Sequence, residues 1–461
     1  MIWKPFGLGE ISLYVPQTVY PPREDTNLLD RALAGLGKGA GRRLLEIGCG
    51  CGAISIAAAR RGWEVSACDI HPLAIASTIG NASENDCYDL IDVGESGPGD
   101  DGDWKPPNGA DVIAWNLPYL DPGDENDEEK LGPLEDAGLI DSSCGRRLLT
   151  ELESDPNLLR DGGVILLLHS SNAVGKALAS MWRKAGWATR IQYEAIVGDE
   201  KLSVIAVWRP FQKTEPILLD ECKSTNLEIL DSDVNIGQLI MALEQTEGRG
   251  QHGRKWDGGK GGFLGSWNVF PDSIERIPGF HQLATSVAIF DSFSALKSLP
   301  LTSHSWSHAS TINEVGIIAK WPNDIYLKIE DGFAKIGGIL AESRSKGGVT
   351  KLAIGVGLNR FAPDSNIEAA GWDDVPGLKE LSMKDLFPIL NASMSSMFES
   401  HPLLVDIDKQ SILQSHYALM LDSYYNGNVA GKDVIGLNEK GHLLARDVII
   451  DSTVDLNWNW N

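Results

Sequence analysis

Three groups of residues in this chain have the types and spacing for group-transfer chemistry. The first is Glu46-Ile47-Gly48-Cys49-Gly50-Cys51-Gly52, with Asp69 following. Glycines let the backbone turn sharply and approach a ligand closely. A carboxylate beyond such a loop can accept two charge-assisted hydrogen bonds from a ribose diol. The spacing alone leaves dinucleotide binding open. The second group is Asn116-Leu117-Pro118-Tyr119. An amide or exocyclic amine is a poor nucleophile because its lone pair is delocalised, so methylating one is chiefly a matter of orientation. An Asn amide and a backbone carbonyl can hold the target NH2 while an aromatic ring packs on the flat group. The third group runs through Gly248-Arg249-Gly250-Gln251-His252-Gly253-Arg254, then Lys320-Trp321-Pro322-Asn323-Asp324, Lys335-Ile336-Gly337-Gly338 and Gly355-Val356-Gly357-Leu358-Asn359. Glycine N–H groups and guanidinium forks suit a phosphate or carboxylate. Lysines that neutralise an α-phosphate, beside a carboxylate able to hold Mg2+, are the equipment for adenylate formation.

Two stretches of elements must position these groups. Apolar runs at Arg43–Ile47, Glu64–Asp69, Asp111–Trp115, Val164–His169 and Leu202–Trp208 alternate with helical patterns such as Ala53–Arg60, which predicts a doubly wound sheet. After a break near Trp208–Lys213, strands are expected at Pro216–Leu219, Ile317–Lys320, Gly338–Glu342 and Leu352–Val356, with helices around Leu283–Leu299 and Met383–Phe398. A β-rich tail, about Ile412 to Asn461, reads as a small barrel. The expected domains are therefore 1–212, 213–411 and 412–461.

The 461 residues carry 64 acidic against 40 basic side chains, a formal net charge of −24, which disfavours a nucleic-acid partner. No apolar run reaches the roughly 18 residues needed to span a bilayer. The N-terminus lacks the apolar core of a secretory signal, so a cytoplasmic protein is expected. The six cysteines include no CxxC pair, and Cys49 and Cys51 read as small loop residues rather than metal ligands. His304 and His308 lack an acidic third ligand and read as part of a polar loop, while Asp121–Lys130 is an acidic loop.

Glu46–Gly52, Asp69-Ile70-His71-Pro72, Asn116–Tyr119 and Gly145-Arg146, with Val19–Thr26 upstream, resemble the short release-factor glutamine methyltransferases of the HemK/PrmC kind found in archaea and eukaryotes. The resemblance covers roughly residues 15–210. It implies a class I Rossmann-like domain that binds S-adenosylmethionine through Glu46, Gly48, Gly50, Asp69 and Asp92. It further implies that Asn116, Pro118 and Tyr119 grip a glutamine side chain in a translation release factor. A small zinc-binding activator subunit is a family partner. Leu117 stands where the family carries a proline, so the loop is expected to lose a rigidifying ring. A DNA or RNA amino-methyltransferase uses a similar tetrapeptide, and a non-catalytic targeting module for the second half is the reading from a different class.

From about Leu218 onward, the four ordered motifs resemble biotin–protein ligases. That family has an α+β catalytic domain related to class II synthetases and a small C-terminal SH3-like β-barrel. The resemblance implies that Ser224, Thr225, Asn226 and Gln245 touch biotin, with Gly248, Arg249, Gly355 and Gly357 also lining its site. Arg254 belongs to the loop that closes over the adenylate. Lys320, Asn323, Asp324 and Asn359 serve ATP, Asp324 through Mg2+, and Lys335 bridges the biotin carboxylate and the α-phosphate. Biotin and ATP would give biotinyl-AMP, and a lysine of a biotin carboxyl carrier domain would take the biotin. Glu247 and Gln251 depart from the family's less acidic, more basic loop, which predicts weaker retention of biotinyl-AMP.

Overall fold

The apolar runs of the first half become neighbouring strands because each is bounded by glycine turns and followed by a helix that covers it. The structure, a computed structural model, describes residues 1–99, 104–118, 145–171, 173–253, 256, 260–270, 279–304, 309–330, 332–363, 368–421, 428–429, 432–446 and 448–451. The chain divides into two units. One comprises residues 1–182, 189–209 and 401–405, the other residues 183–188, 210–400 and 406–461.

In the first unit, helix α1 (Glu24–Gly35) precedes β1 (Arg43–Ile47), α2 (Ala53–Arg60), β2 (Glu64–Asp69), α3 (Pro72–Glu84), β3 (Ile91–Glu95), β4 (Ala110–Asn116), α4 (Arg146–Ser154) and β5 (Leu159–Ser170). Then come α5 (Ala173–Lys184), β6 (Ala188–Val197) and β7 (Glu200–Trp208). The seven strands lie in the order β3-β2-β1-β4-β5-β7-β6. Strands β3 to β5 are parallel in that order, and β7 runs antiparallel to β5. Val112, Ile113, Ala114 and residues 164–168 are fully buried, as expected for central strands covered on both faces. The chain order reverses beside β1. A crevice outside the carboxyl ends of the strands at such a reversal is where open α/β sheets bind ligands. Pairing of Ile47 with Cys68 and with Trp115 brings the glycine loop, Asp69 and Asn116 to that end together.

The second unit begins with β8 (Ile217–Cys222), α6 (Thr225–Asp231), β9 (Leu239–Gln245) and β10 (Phe263–Val269). Next are α7 (Phe280–Leu296), α8 (Ala309–Val315), β11 (Ile317–Lys320), β12 (Asp324–Ile329), β13 (Gly332–Lys346), β14 (Val349–Leu358), α9 (Met383–Phe398) and α10 (Lys409–Leu421). The sheet order is β8-β9-β10-β14-β13-β12-β11, antiparallel except for β8 with β9. Helix α7 is buried along nearly its whole length, its polar His281, Thr285 and Asp291 included, so it forms the floor of the core with α9 and α10.

One expected boundary moves. Residues 412–421 are helical rather than β-rich, because Ile412, Leu413, His416, Leu419 and Met420 recur at helical spacing and bury against the α7 core. The strands start later, as β15 (Asn428–Val429), β16 (Lys432–Leu437), β17 (Leu443–Ala445) and β18 (Val448–Ile450), an antiparallel meander in chain order. No helix among the described residues is long and apolar enough to cross a membrane.

Candidate functional site

At the carboxyl end of the first sheet, Gly48, Gly50 and Gly52 all have positive φ, at 70°, 54° and 78°, a region that side-chain-bearing residues rarely enter. Gly52 also caps α2, and a Cβ there would lie 2.9 Å from Thr78. Asp69 holds the loop: its Oδ2 accepts the Gly50 N–H at 2.9 Å and its Oδ1 the His71 N–H at 2.9 Å. Burial pushes its pKa up, and these two bonds pull the other way. Glu46 faces elsewhere. It is buried, accepts the Ser55 hydroxyl of α2, and is pushed up to about 8 by burial, so it ties β1 to α2 rather than presenting a charge to a ligand.

Asp92 is a correction. It is exposed and pairs with Ser66, three positions before Glu95, which lies opposite Asp69. At about 3.3 Å per residue it is roughly 10 Å back along the strand from Glu95. It lines a separate cavity of about 740 Å³ with Arg43 and Glu64, the first residues of β1 and β2. Carboxyl ends, not amino ends, carry this site.

Asn116 is the last residue of β4, and its Nδ2 donates to Asp25 Oδ2 at 2.7 Å. Asp25, in the first turn of α1, is 2% exposed and also accepts the Thr26 N–H at 2.6 Å. With its NH2 committed, Asn116 turns its Oδ1 the other way. That oxygen is buried and accepts no hydrogen bond from any described residue. A buried carbonyl oxygen left unpaired is costly, so it marks a place where a ligand N–H belongs. Leu117, in place of the proline ring, adds a bond of its own. Its N–H donates to Leu168 O at 3.0 Å, a bond proline cannot make, and its buried side chain lies beside Gly145. Pro118 follows, half-buried. Tyr119 and the acidic loop 121–130 lie outside the described residues.

The second site lies on the face of a sheet. Lys335 Nζ bonds Asp324 Oδ1 at 2.7 Å, with both side chains mostly shielded, and lies 5.5 Å from the Trp256 ring centroid. Lys320 pairs with Asp324 across β11 and β12 and reaches over the Tyr326 ring. Asn323 is locked to Ile339 by two bonds: its Nδ2 donates to Ile339 O at 3.1 Å and its carbonyl accepts the Ile339 N–H at 2.8 Å. Asn359 Nδ2 donates to Ala370 O at 3.3 Å, and its Oδ1 is a second buried oxygen without a described donor. Among the described residues no cluster of three His, Cys, Asp or Glu could hold a metal by itself. Asp324 alone fits a Mg2+ that arrives with nucleotide phosphates.

The two glycines of the GVG motif each make room for a side chain. Gly355 lies in a row with Ser266 on β10 and Leu340 on β13, and a Cβ there would fall 2.5 Å from Asn226 Oδ1. Gly357 lies in the row Leu264–Gly357–Gly338, and a Cβ there would fall 2.5 Å from Trp256 Nε1. Asn226 thus lies flat across one row and Trp256 across the next. Thr225 N–H donates to Gln245 Oε1 at 2.8 Å, the Ser224 carbonyl accepts the Glu228 N–H at 3.0 Å at the start of α6, and Gly248 O accepts the Trp256 N–H at 2.9 Å. Exposed Arg249 borders a cavity of about 610 Å³ with Gln251, Trp321, Glu342, Gly441 and His442. Arg254 lies outside the described residues, as does His308. Asp25, Trp256, Ser266 and Glu342 are participants that the sequence reading did not single out as site residues. Only Trp256, directly after the glycine–arginine loop, had a local signal.

Comparison with known proteins decides between the open readings. "Putative protein N5-glutamine methyltransferase MJ0928" of Methanocaldococcus jannaschii is 33% identical over 201 residues, 43% of this chain and 96% of that protein. The first half belongs to the protein N5-glutamine methyltransferase family. Residues 26–117 also match the Ribosomal protein L11 methyltransferase (PrmA) family, a match that ends before Pro118-Tyr119. Residues 218–359 match the Biotin/lipoate A/B protein ligase family. The Biotin–protein ligase of Schizosaccharomyces pombe is 26% identical over 274 residues, 55% of this chain but only 41% of that protein. The solved biotin protein ligase of Aquifex aeolicus in complex with biotin and ATP is 23% identical and covers 54% of this chain and 99% of its own, at a TM-score of 0.40. The chain therefore joins a glutamine methyltransferase to a region similar to biotin–protein ligases.

Proposed function

We propose that the glutamine methyltransferase half methylates the Gln of a release factor's Gly-Gly-Gln loop on its side-chain nitrogen. The observation that carries this reading is the buried Asn116 Oδ1, held open by Asp25. An amide NH2 donating to that oxygen, and to the backbone carbonyl near Leu117, is fixed in direction and exposes its lone pair's face to the methyl donor. S-adenosylmethionine supplies a methyl group on a sulfonium, which the amide nitrogen takes while losing a proton. Gly48, Gly50 and Asp69 fit its carboxylate and ribose, and Tyr119 is assigned to the flat amide. Labelled S-adenosylmethionine mixed with a release factor should mark the intact Gly-Gly-Gln loop and not a Gln→Ala version. Label on both, or on nucleic acid, overturns the reading. The assay is run with and without a zinc-binding activator subunit, the partner the family resemblance suggests.

The ligase half joins biotin to ATP, releasing pyrophosphate, and passes the biotinyl group from biotinyl-AMP to a lysine of a biotin carboxyl carrier domain. Lys335 stands between the carboxylate and the α-phosphate; Lys320, Asn323, Asn359 and Asp324 with Mg2+ serve the nucleotide; Arg249 and Arg254 close over it. The Lys335–Asp324 pair over Trp256 supports this reading. Biotin-dependent exchange of pyrophosphate into ATP tests the first step, and biotin on a carrier domain tests the second. The domain limits that go with these roles are 1–212 and, with the boundary moved past the last helix, 213–421 and 422–461.

A further inference from the structure

Asn226 Nδ2 donates to Glu342 Oε2 at 2.8 Å and to Leu340 O at 3.1 Å. Neither partner can donate in return, so both amide protons are committed there and Asn226 must turn its Oδ1 toward Ser266. Ser266 Oγ lies 2.7 Å from that oxygen and 2.7 Å from Thr225 Oγ1, and all three side chains are buried. An amide oxygen only accepts, so the single Ser266 proton goes to Asn226, and the short contact to Thr225 must carry the Thr225 proton. The chain of hydrogen bonds therefore has one direction, Thr225 to Ser266 to Asn226 to Glu342. Its far end leaves the Thr225 hydroxyl with lone pairs only, so the longer 3.3 Å approach of Thr225 Oγ1 to Gln245 Oε1 gives way to the 2.7 Å bond to Ser266 as the destination of the Thr225 proton. Beside it, Gln245 has its Oε1 taken by the Thr225 N–H and keeps its NH2 to give.

We infer that Glu342 is a positioning residue that sets the polarity of this chain, so that the site reads a ligand with an N–H donor facing Thr225 and a carbonyl facing Gln245. A cyclic urea presents that pair side by side. This rests on the reading of Thr225 and Gln245 as biotin-site residues. Glu342, on the cavity wall, acts on the Thr225 end through two intervening side chains, by denying Asn226 the option of turning over. A donor in its place reverses every link, and Thr225 then offers a proton where the ligand also offers one.

The test uses the full chain, biotin, and the two biotin analogues in which one ureido N–H is replaced by ring oxygen. Glu342→Lys should raise the biotin KM about tenfold or more, a loss of roughly 1.4 kcal/mol or more at 25 °C. The turnover at saturating biotin and the ATP KM should stay within about threefold. Its preference for biotin over the analogue that puts oxygen opposite Thr225 should collapse. Glu342→Gln still accepts from Asn226 and should restore wild-type values within about threefold, which a purely charge-based role would not allow. Ser266→Ala cuts the chain in the middle and should also lower the preference, which keeps the test decisive if the Lys variant folds poorly. Wild-type preference retained in both Glu342→Lys and Ser266→Ala, or equal damage from Lys and Gln, overturns the inference. Failure of the unmodified chain to bind biotin at all overturns the ligase reading itself, a separate result.

Discussion

The two sites are built in opposite ways from similar materials. The methyltransferase site lies at the ends of parallel strands, where the backbone leaves the sheet, and it collects Gly48, Asp69 and Asn116 from three separate βα steps and Asp25 from the helix before the sheet. The ligase site lies on the face of an antiparallel sheet, where rows of residues across β10, β14 and β13 set each neighbour. At an end, topology decides what meets, and glycine is needed for its backbone angles. On a face, register decides, and glycine is needed for the Cβ it lacks. Gly48, at φ 70° with only Trp115 near a Cβ, and Gly357, in extended strand with Trp256 pressed on it, show the two uses.

The largest effect should come from Lys335→Ala, which removes the cation facing Asp324 and Trp256. Biotin-dependent pyrophosphate exchange should fall about 10³-fold, while methyl transfer measured on the same preparation stays unchanged. Parallel loss of both activities would mean that the sites are not independent. Asn116→Ala should lower methyl transfer about 100-fold, in the range for one well-placed polar group, with S-adenosylmethionine affinity kept within a few-fold by equilibrium binding. Asp25→Asn, which lets the Asn116 amide turn over, should cost about tenfold.

The contrast between glycines is sharpened by two alanines. Gly357→Ala must displace Trp256, and should destabilise the ligase unit by about 1–3 kcal/mol and raise the biotin or ATP KM. Gly48→Ala meets no close neighbour and should cost about 1–2 kcal/mol through its left-handed backbone; calorimetry on each variant separates them, and equal loss of ligase activity would end the distinction. The smallest effect concerns pH. The Glu46 pKa rises from 4.5 unfolded to about 8 folded, so the folded state holds the proton more tightly. Its cost to stability is absent below pH 4.5, grows as pH rises toward 8, and is complete above. Glu46→Gln should flatten that alkaline decline in melting temperature. His281, lowered to about 4, and His416, lowered to about 3, act in the other direction and should erode the ligase unit as pH falls below 6.5.

Periodicity made the strands legible because buried parallel strands are short unbroken apolar runs, and Arg43–Ile47 and Glu64–Asp69 match their observed limits. It could not show which end of a strand faces a ligand, and the resemblance that pointed to Asp92 did not fix its register on β3, where it pairs with Ser66. Residues 412–421 read as β because their apolar spacing was judged without the α7 surface they bury against. Ser266 and Glu342 carry no local signature. Their importance exists only in the register that sets Ser266, Gly355 and Leu340 in one row. Leu117 read as a loss against the proline expected there, and only its bond to Leu168 shows what the leucine adds.

The turn at residues 438–442 donates no catalytic group, yet its Gly441 carbonyl accepts the Trp321 indole N–H at 2.9 Å, and Gly441 and His442 wall the ligase cavity. That wall is among the last parts of the pocket to leave the ribosome. A nascent chain long enough to contain every ligase motif still lacks one side of its cavity, whereas the methyltransferase strands were completed more than two hundred residues earlier. Translation itself therefore imposes an order. The methyltransferase strands are made before any ligase motif, and the ligase pocket gains this wall only once residues 438–442 have been added.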